Sequence, residues 1–205
     1  MTFMPNRIPS ASRPTSFFRV SPFGPRVAFW ASKFVEADLG AVRVISAAAR
    51  RPAAKIFAVT ISKLGNGWIY PILGAGIVMQ WGLPDARRMI LLAALNAALT
   101  HITYPVIKRR FKRLRPFKVD PRLPSLLSTL DEHSFPSGHA MTLTGVLAPI
   151  VMLWPAAAVW AVVMTCCMAW SRIATGHHYP SDVAAGIFLG LCLGCPLSNY
   201  LLAHL

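Results

Sequence analysis

Three short segments of the 205-residue chain carry most of the side chains able to do chemistry. They are Lys108–Pro116 (KRRFKRLRP), His133–His139 (HSFPSGH) and Ser171–Asp182 (SRIATGHHYPSD). Lys108, Arg115 and Arg172 supply fixed positive charge: the planar arginine fork matches phosphate oxygens, and lysine adds a point charge. After Pro136 the run Ser137-Gly138-His139 is expected to open a helix, whose free backbone N–H groups favour an anion. Gly138 lets the backbone approach closely, and Ser137 adds a hydroxyl donor. The ligand implied is a tetrahedral oxyanion, most simply a phosphoryl group.

His178 and Asp182 are spaced i, i+4. With Asp182 at the start of the last helix, its carboxylate can reach one imidazole nitrogen of His178, setting the tautomer and freeing the other nitrogen as a nucleophile. His139 is a second imidazole, suited to protonating a leaving oxygen. Each element has a plainer reading. A basic stretch such as 108–118 also serves as an anchor for anionic lipid. His177, His133 and His101 are expected to be structural. A zinc site is disfavoured by the neighbouring fixed cations, and Cys166, Cys167, Cys192 and Cys195 are expected to pack inside spans.

The elements that must position these groups are legible from where charge is missing. Hydrophobic residues make up 55% of the chain and charged residues 14%, against about 25% charged in soluble domains. Four cysteines exclude a disulfide scaffold, and the apolar content excludes disorder for most of the chain. The net charge of +14 suggests a nucleic-acid binder, but long uncharged runs argue against one. No Asp, Glu, Lys, Arg or His occurs over residues 64–84 or 140–171. Residues 89–107 contain only His101, and 183–205 only His204. A bilayer span needs about 20 apolar residues. The 140–171 run is read as a hairpin broken near Trp154-Pro155, because a single long helix would put the second and third clusters on opposite membrane faces. The fold expected is an all-α polytopic membrane bundle of about five spans, near 65–84, 88–107, 137–153, 156–173 and 183–203.

The first 63 residues differ. Residues 1–25, with five prolines, read as a flexible basic tail without a secretory apolar core. A span over 41–62 would bury Arg43, Arg50, Arg51 and Lys55, so 26–63 is read as amphipathic interfacial helices broken at Pro52, with a soluble helical arm packed on the spans as the alternative. The domain proper is then 64–205.

Taken together, Lys108-x6-Arg115-Pro116, Pro136-Ser137-Gly138-His139 and Ser171-Arg172-x5-His178-x3-Asp182 resemble the three-part signature of the type 2 phosphatidic acid phosphatase superfamily. The resemblance spans roughly residues 64–200. It implies that His178 attacks phosphorus to form a phosphohistidine, that Asp182 orients His178, and that His139 protonates the leaving group before water releases phosphate. It implies further that Lys108, Arg115, Ser137, Gly138 and Arg172 hold the phosphoryl oxygens, with no metal or other cofactor.

The function expected is an integral membrane phosphatase of a lipid phosphate such as phosphatidate, phosphatidylglycerophosphate or a polyprenyl phosphate derivative. The partners are the lipid substrate and the membrane, with no nucleic acid; the oligomeric state is not read from the sequence. Nineteen of the 21 Lys and Arg residues fall on the site side of a five-span topology, against Arg87 and Arg88 opposite. The positive-inside rule then places the site in the cytoplasm of a bacterial inner membrane. Alternatives are an undecaprenyl-diphosphate phosphatase with a periplasmic site, a vanadate-dependent haloperoxidase, an anionic-lipid transporter and a basic membrane anchor.

Overall fold

The computed structural model describes residues 25–128 and 131–204. The expected tail 1–25 therefore lies, except for Pro25, outside the described residues. The chain divides into two compact units, Met1–Glu36 and Ala37–Leu205. In the first, the described residues are helical and expose Phe29, Trp30 and Phe34, with Lys33 and Glu36 paired at 3.6 Å. Everything below concerns the second.

Helix α1 (Pro25–Ala48) ends before a turn, and α2 (Pro52–Lys63) starts on Pro52. The fixed φ of proline suits the first helical position, where its missing N–H costs nothing. This break lies where the sequence placed it. Across residue 64, α2 runs without a loop through a π-turn (Leu64–Trp68) into α3 (Ile69–Phe111). The 52–111 stretch is interrupted only by two glycines with positive φ, Gly67 (132°) and Gly82 (76°).

Gly82 turns α3 back on itself. Tyr70 and Lys108 line the same cavity although 38 residues apart. An unbroken helix would separate them by roughly 57 Å at 1.5 Å per residue. Gly82 adopts φ 76°, ψ 162°, a region essentially closed to residues with a Cβ. The spans expected at 65–84 and 88–107 are thus the two legs of this hairpin, and the turn falls at the glycine rather than at the charged residues 85–88. Leu73 and Ile77 of one leg meet Ile90 and Ala94 of the other across a small apolar cavity.

Helices α5 (Gly138–Leu153) and α6 (Ala158–Ala174) form the second hairpin, joined through Trp154 and a 3-10 turn at Pro155–Ala157. They match the expected spans to within two residues. Helix α7 (Pro180–His204) starts three residues before the expected 183, so Asp182 sits in its first turn. Pro52–Phe111, Pro155–Ala174 and Pro180–His204 are long and apolar enough to cross a membrane, and Gly138–Leu153 is a shorter apolar helix. Their outer faces present Val159, Trp160 and Phe188, each about two-thirds exposed, as a surface that meets hydrocarbon rather than water does.

The bundle interior is close-packed and partly polar. Helix α7 meets α5 along Gly186, Gly190 and Gly194, spaced by four residues on one face. A Cβ at Gly186 would lie 2.6 Å from the Ser137 carbonyl oxygen, and one at Gly194 would lie 3.1 Å from the Gly145 backbone. Beside this seam, the Asn96 amide donates to Ser198 Oγ (2.9 Å) and Thr100 Oγ1 to Thr142 Oγ1 (3.3 Å). In Gly190→Val the new side chain would overlap Thr144 Oγ1 and the Met141 carbonyl. We expect this overpacking to cost about 1–3 kcal/mol, read as a lowered unfolding midpoint in detergent; an unchanged midpoint would show that the helices do not pack along this seam.

Candidate active site

The three motif segments meet at one end of the bundle because each contains a local device that turns the chain there. Lys112 ends α3 in the left-handed conformation (φ 51°), so the chain leaves Lys108 and returns extended through Arg113 to Arg115. Arg115 is held extended by the following Pro116, which starts the short α4 (Pro116–Val119). Ser137 caps α5 from an extended conformation (φ −71°, ψ 106°), and its N–H donates to the Asp182 carbonyl at 3.0 Å. Gly176 (φ 75°) allows the tight turn after α6: a Cβ there would sit 2.5 Å from the Pro124 carbonyl oxygen. That turn delivers His177 and His178, and the His178 N–H donates to the Arg172 carbonyl at 3.2 Å.

The result is a cavity of about 520 Å3. Lys108, Arg115, Gly138, His139, Arg172 and His178 all line it. Ser137 and Asp182 are fully buried and lie behind that lining. Three of the buried side-chain polar atoms without a partner belong to these expected site residues: Ser137 Oγ, Arg172 Nε and His178 Nδ1. Buried polar groups are almost always hydrogen-bonded, so their concentration around one cavity points to a polar ligand.

The nucleophile candidate is oriented. His178 Nε2 lies 3.5 Å from Arg115 Nη1, facing the cations, and Nδ1 lies 3.7 Å from Asp182 Oδ2. The latter is longer than a hydrogen bond. Asp182 Oδ2 instead accepts the Tyr179 N–H (2.9 Å), and Oδ1 accepts from Arg113 Nη1 (2.7 Å). Burial pushes the His178 imidazole well below its ordinary pKa, and Arg172, Arg115 and Lys108 act in the same direction. It is therefore neutral at pH 7, as a nucleophile must be. His177, expected to be structural, is pushed down to about 3, first by burial and then by Arg172. It supports that arginine: Arg172 Nη2 donates to His177 Nδ1 (3.3 Å), while Nε2 donates to the Leu127 carbonyl (3.1 Å).

Four residues that sequence reasoning did not single out complete the site. Asp131 accepts from Lys108 Nζ (2.8 Å) and Arg115 Nη2 (2.7 Å), and its backbone carbonyl accepts from Arg115 Nε (3.2 Å). Burial opposes its ionisation, but the Lys108 hydrogen bond and both cations outweigh that and hold its pKa low. Asn66, in the π-turn, accepts from His139 Nε2 through Oδ1 at 2.8 Å. Arg113 bonds Asp182, Ser181 Oγ and Asp38 Oδ2, each at 2.7 Å, and lies 3.7 Å over the Tyr179 ring. Asp38 of α1 in turn accepts the Ser181 N–H at 3.1 Å. Only Arg113 had a sequence signal, lying two residues before Arg115; nothing local marks Asn66, Asp131 or Asp38.

Asp182 is fully buried, and its charge is balanced by Arg113 alone at bonding distance. Breaking a buried pair from one side leaves an uncompensated charge and costs about 3–5 kcal/mol. Arg113→Met is therefore expected to lower both the unfolding midpoint and the rate of phosphate release, with Arg113→Lys intermediate. Thermal unfolding and turnover measured on the same detergent-solubilised sample check this, and wild-type values for Arg113→Met would refute it.

With this geometry in place, the relatives of the chain can be compared. The family model described as the PAP2 superfamily matches residues 88–204. The chain is 38% identical over 157 residues to decaprenylphosphoryl-5-phosphoribose phosphatase of Mycobacterium tuberculosis, covering 75% of this chain and 84% of that one. It is 29% identical over 130 residues to the putative undecaprenyl-diphosphatase YbjG of Escherichia coli, covering 62% and 63% respectively. Among solved structures, the PAP2-type phosphatidylglycerolphosphate phosphatase of Bacillus subtilis superposes with a TM-score of 0.59 at 25% identity, over 80% of this chain and 86% of that one. The matched region contains every motif residue from Lys108 to Asp182, on a bundle of apolar helices. The chain belongs to the PAP2 superfamily and is an integral membrane phosphatase of lipid phosphates.

Proposed function

We propose that the chain hydrolyses a lipid phosphate through a phosphohistidine on His178. The observation that carries this reading is the convergence of two imidazoles and three buried or nearly buried cations on one cavity at the end of an apolar bundle. The substrate phosphoryl group displaces the Asp131 carboxylate and takes over its bonds to Lys108 and Arg115, with Arg172 and the first turn of α5 at Ser137 and Gly138 completing the cradle. Such fixed donors stabilise charge that develops on the equatorial oxygens during transfer.

His178 Nε2 attacks phosphorus while Nδ1 keeps its proton towards Asp182. The N–P bond forms and the P–O bond to the lipid breaks. His139, as the imidazolium beside the bound phosphate, gives the Nε2 proton that it shares with Asn66 to the leaving oxygen and becomes neutral imidazole. His139 then takes a proton from water as the water oxygen attacks phosphorus, the N–P bond breaks and phosphate leaves. No step draws on a metal or other cofactor.

The apolar cavity of about 280 Å3 between the two legs of α3 and helix α5 supports a lipid substrate. It shares Tyr70 with the catalytic cavity, so a hydrocarbon chain can lie there while its head group reaches His178. A glycerolipid and a polyprenyl chain satisfy this equally.

The chain before residue 64 serves, in this reading, as an interfacial arm, with the site on the cytoplasmic side. Ala49 packs beside Ala174 and the Ser62 and Ser171 hydroxyls are 2.6 Å apart, so α2 stays near the cavity end of α6. Trp81 meets Trp154 at the other end of the hairpins, 4.4 Å between ring centroids. The basic residues around the cavity then share one face, and that face belongs inside by the positive-inside rule.

Two measurements test this. His178→Ala should reduce phosphate release from a panel of lipid phosphates by roughly 10⁴-fold or more while leaving the fold intact, the scale expected when a nucleophile is lost; retained turnover would end the mechanism. For sidedness, Lys112→Cys, in a background with the four native cysteines replaced by serine, should resist an impermeant thiol reagent in intact cells and react after permeabilisation. Labelling in intact cells would place the site outside.

A further inference from the structure

We propose that Lys63 binds a second phosphate, carried by the leaving group, so that the preferred substrates are lipids with two phosphates rather than simple monophosphates. This rests on the phosphatase reading above and extends it to substrate class.

The first observation is the charge around the cavity. Its lining contains four fixed cations, Lys63, Lys108, Arg115 and Arg172, against one carboxylate, Asp131. Leaving the imidazoles aside, three positive charges are in excess. A phosphomonoester carries about 1.5–2 negative charges at pH 7. One cation therefore stays uncompensated when such a group alone is bound in the cradle.

The second observation is which cation that is. Lys108 and Arg115 already share Asp131, and Arg172 is held by Ser62 and His177 beside them. Lys63 takes part in none of the ion pairs among the described residues. It is exposed to solvent yet still lines the cavity, so its charge remains available to a ligand.

The third observation is its place relative to the proton donor. Lys63 ends α2 and leads into the π-turn that carries Asn66, the partner of His139 at 2.8 Å. Gly65 lies between them, and a Cβ there would come within 2.6 Å of the His139 ring, so this turn is pressed directly against the imidazole. His139 marks the leaving-group side, because the departing oxygen takes its proton. The spare cation thus stands beside the departing group rather than beside the transferred phosphoryl. A phosphate linked to the leaving oxygen, either directly as a diphosphate or through a short polyol or sugar, brings the missing negative charge to that wall. The scissile bond and the proton transfer are unchanged; Lys63 contributes binding and stabilises the charged product as it departs.

The test compares kcat/KM for phosphatidylglycerophosphate and for undecaprenyl diphosphate with that for phosphatidate, in wild type, Lys63→Gln and Lys63→Arg. Wild type should prefer at least one two-phosphate lipid. Lys63→Gln should lower that preference tenfold or more, mainly through KM, and Lys63→Arg should restore most of it. The ratio is internal to each preparation, so partial misfolding cancels from it. Whichever two-phosphate lipid shows the loss identifies the linkage that the wall accepts. A wild-type enzyme indifferent to the second phosphate, or a ratio unmoved in Lys63→Gln, would overturn the inference. Turnover that persists in His178→Ala would instead remove the phosphatase reading beneath it, so the two failures are distinct.

Discussion

Three cations with buried side chains at the end of an apolar helical bundle are the constraint around which the rest of this protein is arranged. Lys108, Arg115 and Arg172 are each less than a tenth exposed. Burying a charge costs several kcal/mol unless it is paired and hydrogen-bonded. In the described state one carboxylate, Asp131, satisfies two of the three, and Arg172 is met only by neutral acceptors, Ser62 and His177. A site so rich in uncompensated positive charge is suited to a multiply charged anion. Burial first, and then the same positive charge, pushes the His178 imidazole below its ordinary pKa.

Keeping these cations together requires the chain to reverse direction repeatedly at one level of the bundle. Gly82 and the Trp154-Pro155 break do this at the far end, while Lys112 and Gly176 do it beside the cavity. The glycine seam of α7 then lets that helix approach α5 until the Asp182 carbonyl accepts the Ser137 N–H. The segment of His178 and Asp182 and the segment of Ser137 and His139 are thus fastened backbone to backbone, and the separation of His178 from the start of α5 does not depend on flexible side chains.

The candidate nucleophile His178 is oriented through a longer chain than the His178–Asp182 spacing suggests. Asp38 on α1 holds Arg113 and Ser181, Arg113 holds Asp182, and Asp182 faces His178 Nδ1. Asp38, which lies in none of the three motifs, is thereby tied to Asp182. The membrane-facing helices contribute differently: their exposed aliphatic and aromatic side chains hold the bundle in hydrocarbon, and the apolar cavity below Tyr70 opens between two of them.

Much of this is legible in the sequence. Runs without charge mark spans because hydrocarbon excludes unpaired ions, and the 140–171 hairpin followed from requiring His139 and His178 to share a face. The motif residues announce themselves by type and spacing, since phosphate chemistry needs that particular combination of fork donors and imidazoles. Asp131, Asn66, Asp38 and Lys63 were not legible, because an isolated Asp, Asn or Lys has no local signature and gains its role only from what lies across space from it. The turn at Gly82 was likewise hidden: a glycine in an apolar run looks the same whether the helix passes through it or reverses there. Sequence determined which chemistry and which solvent, because both depend on residue type and local order. Tertiary structure decided which counter-charges meet which cations, because electrostatic pairing acts over a few ångströms regardless of separation along the chain.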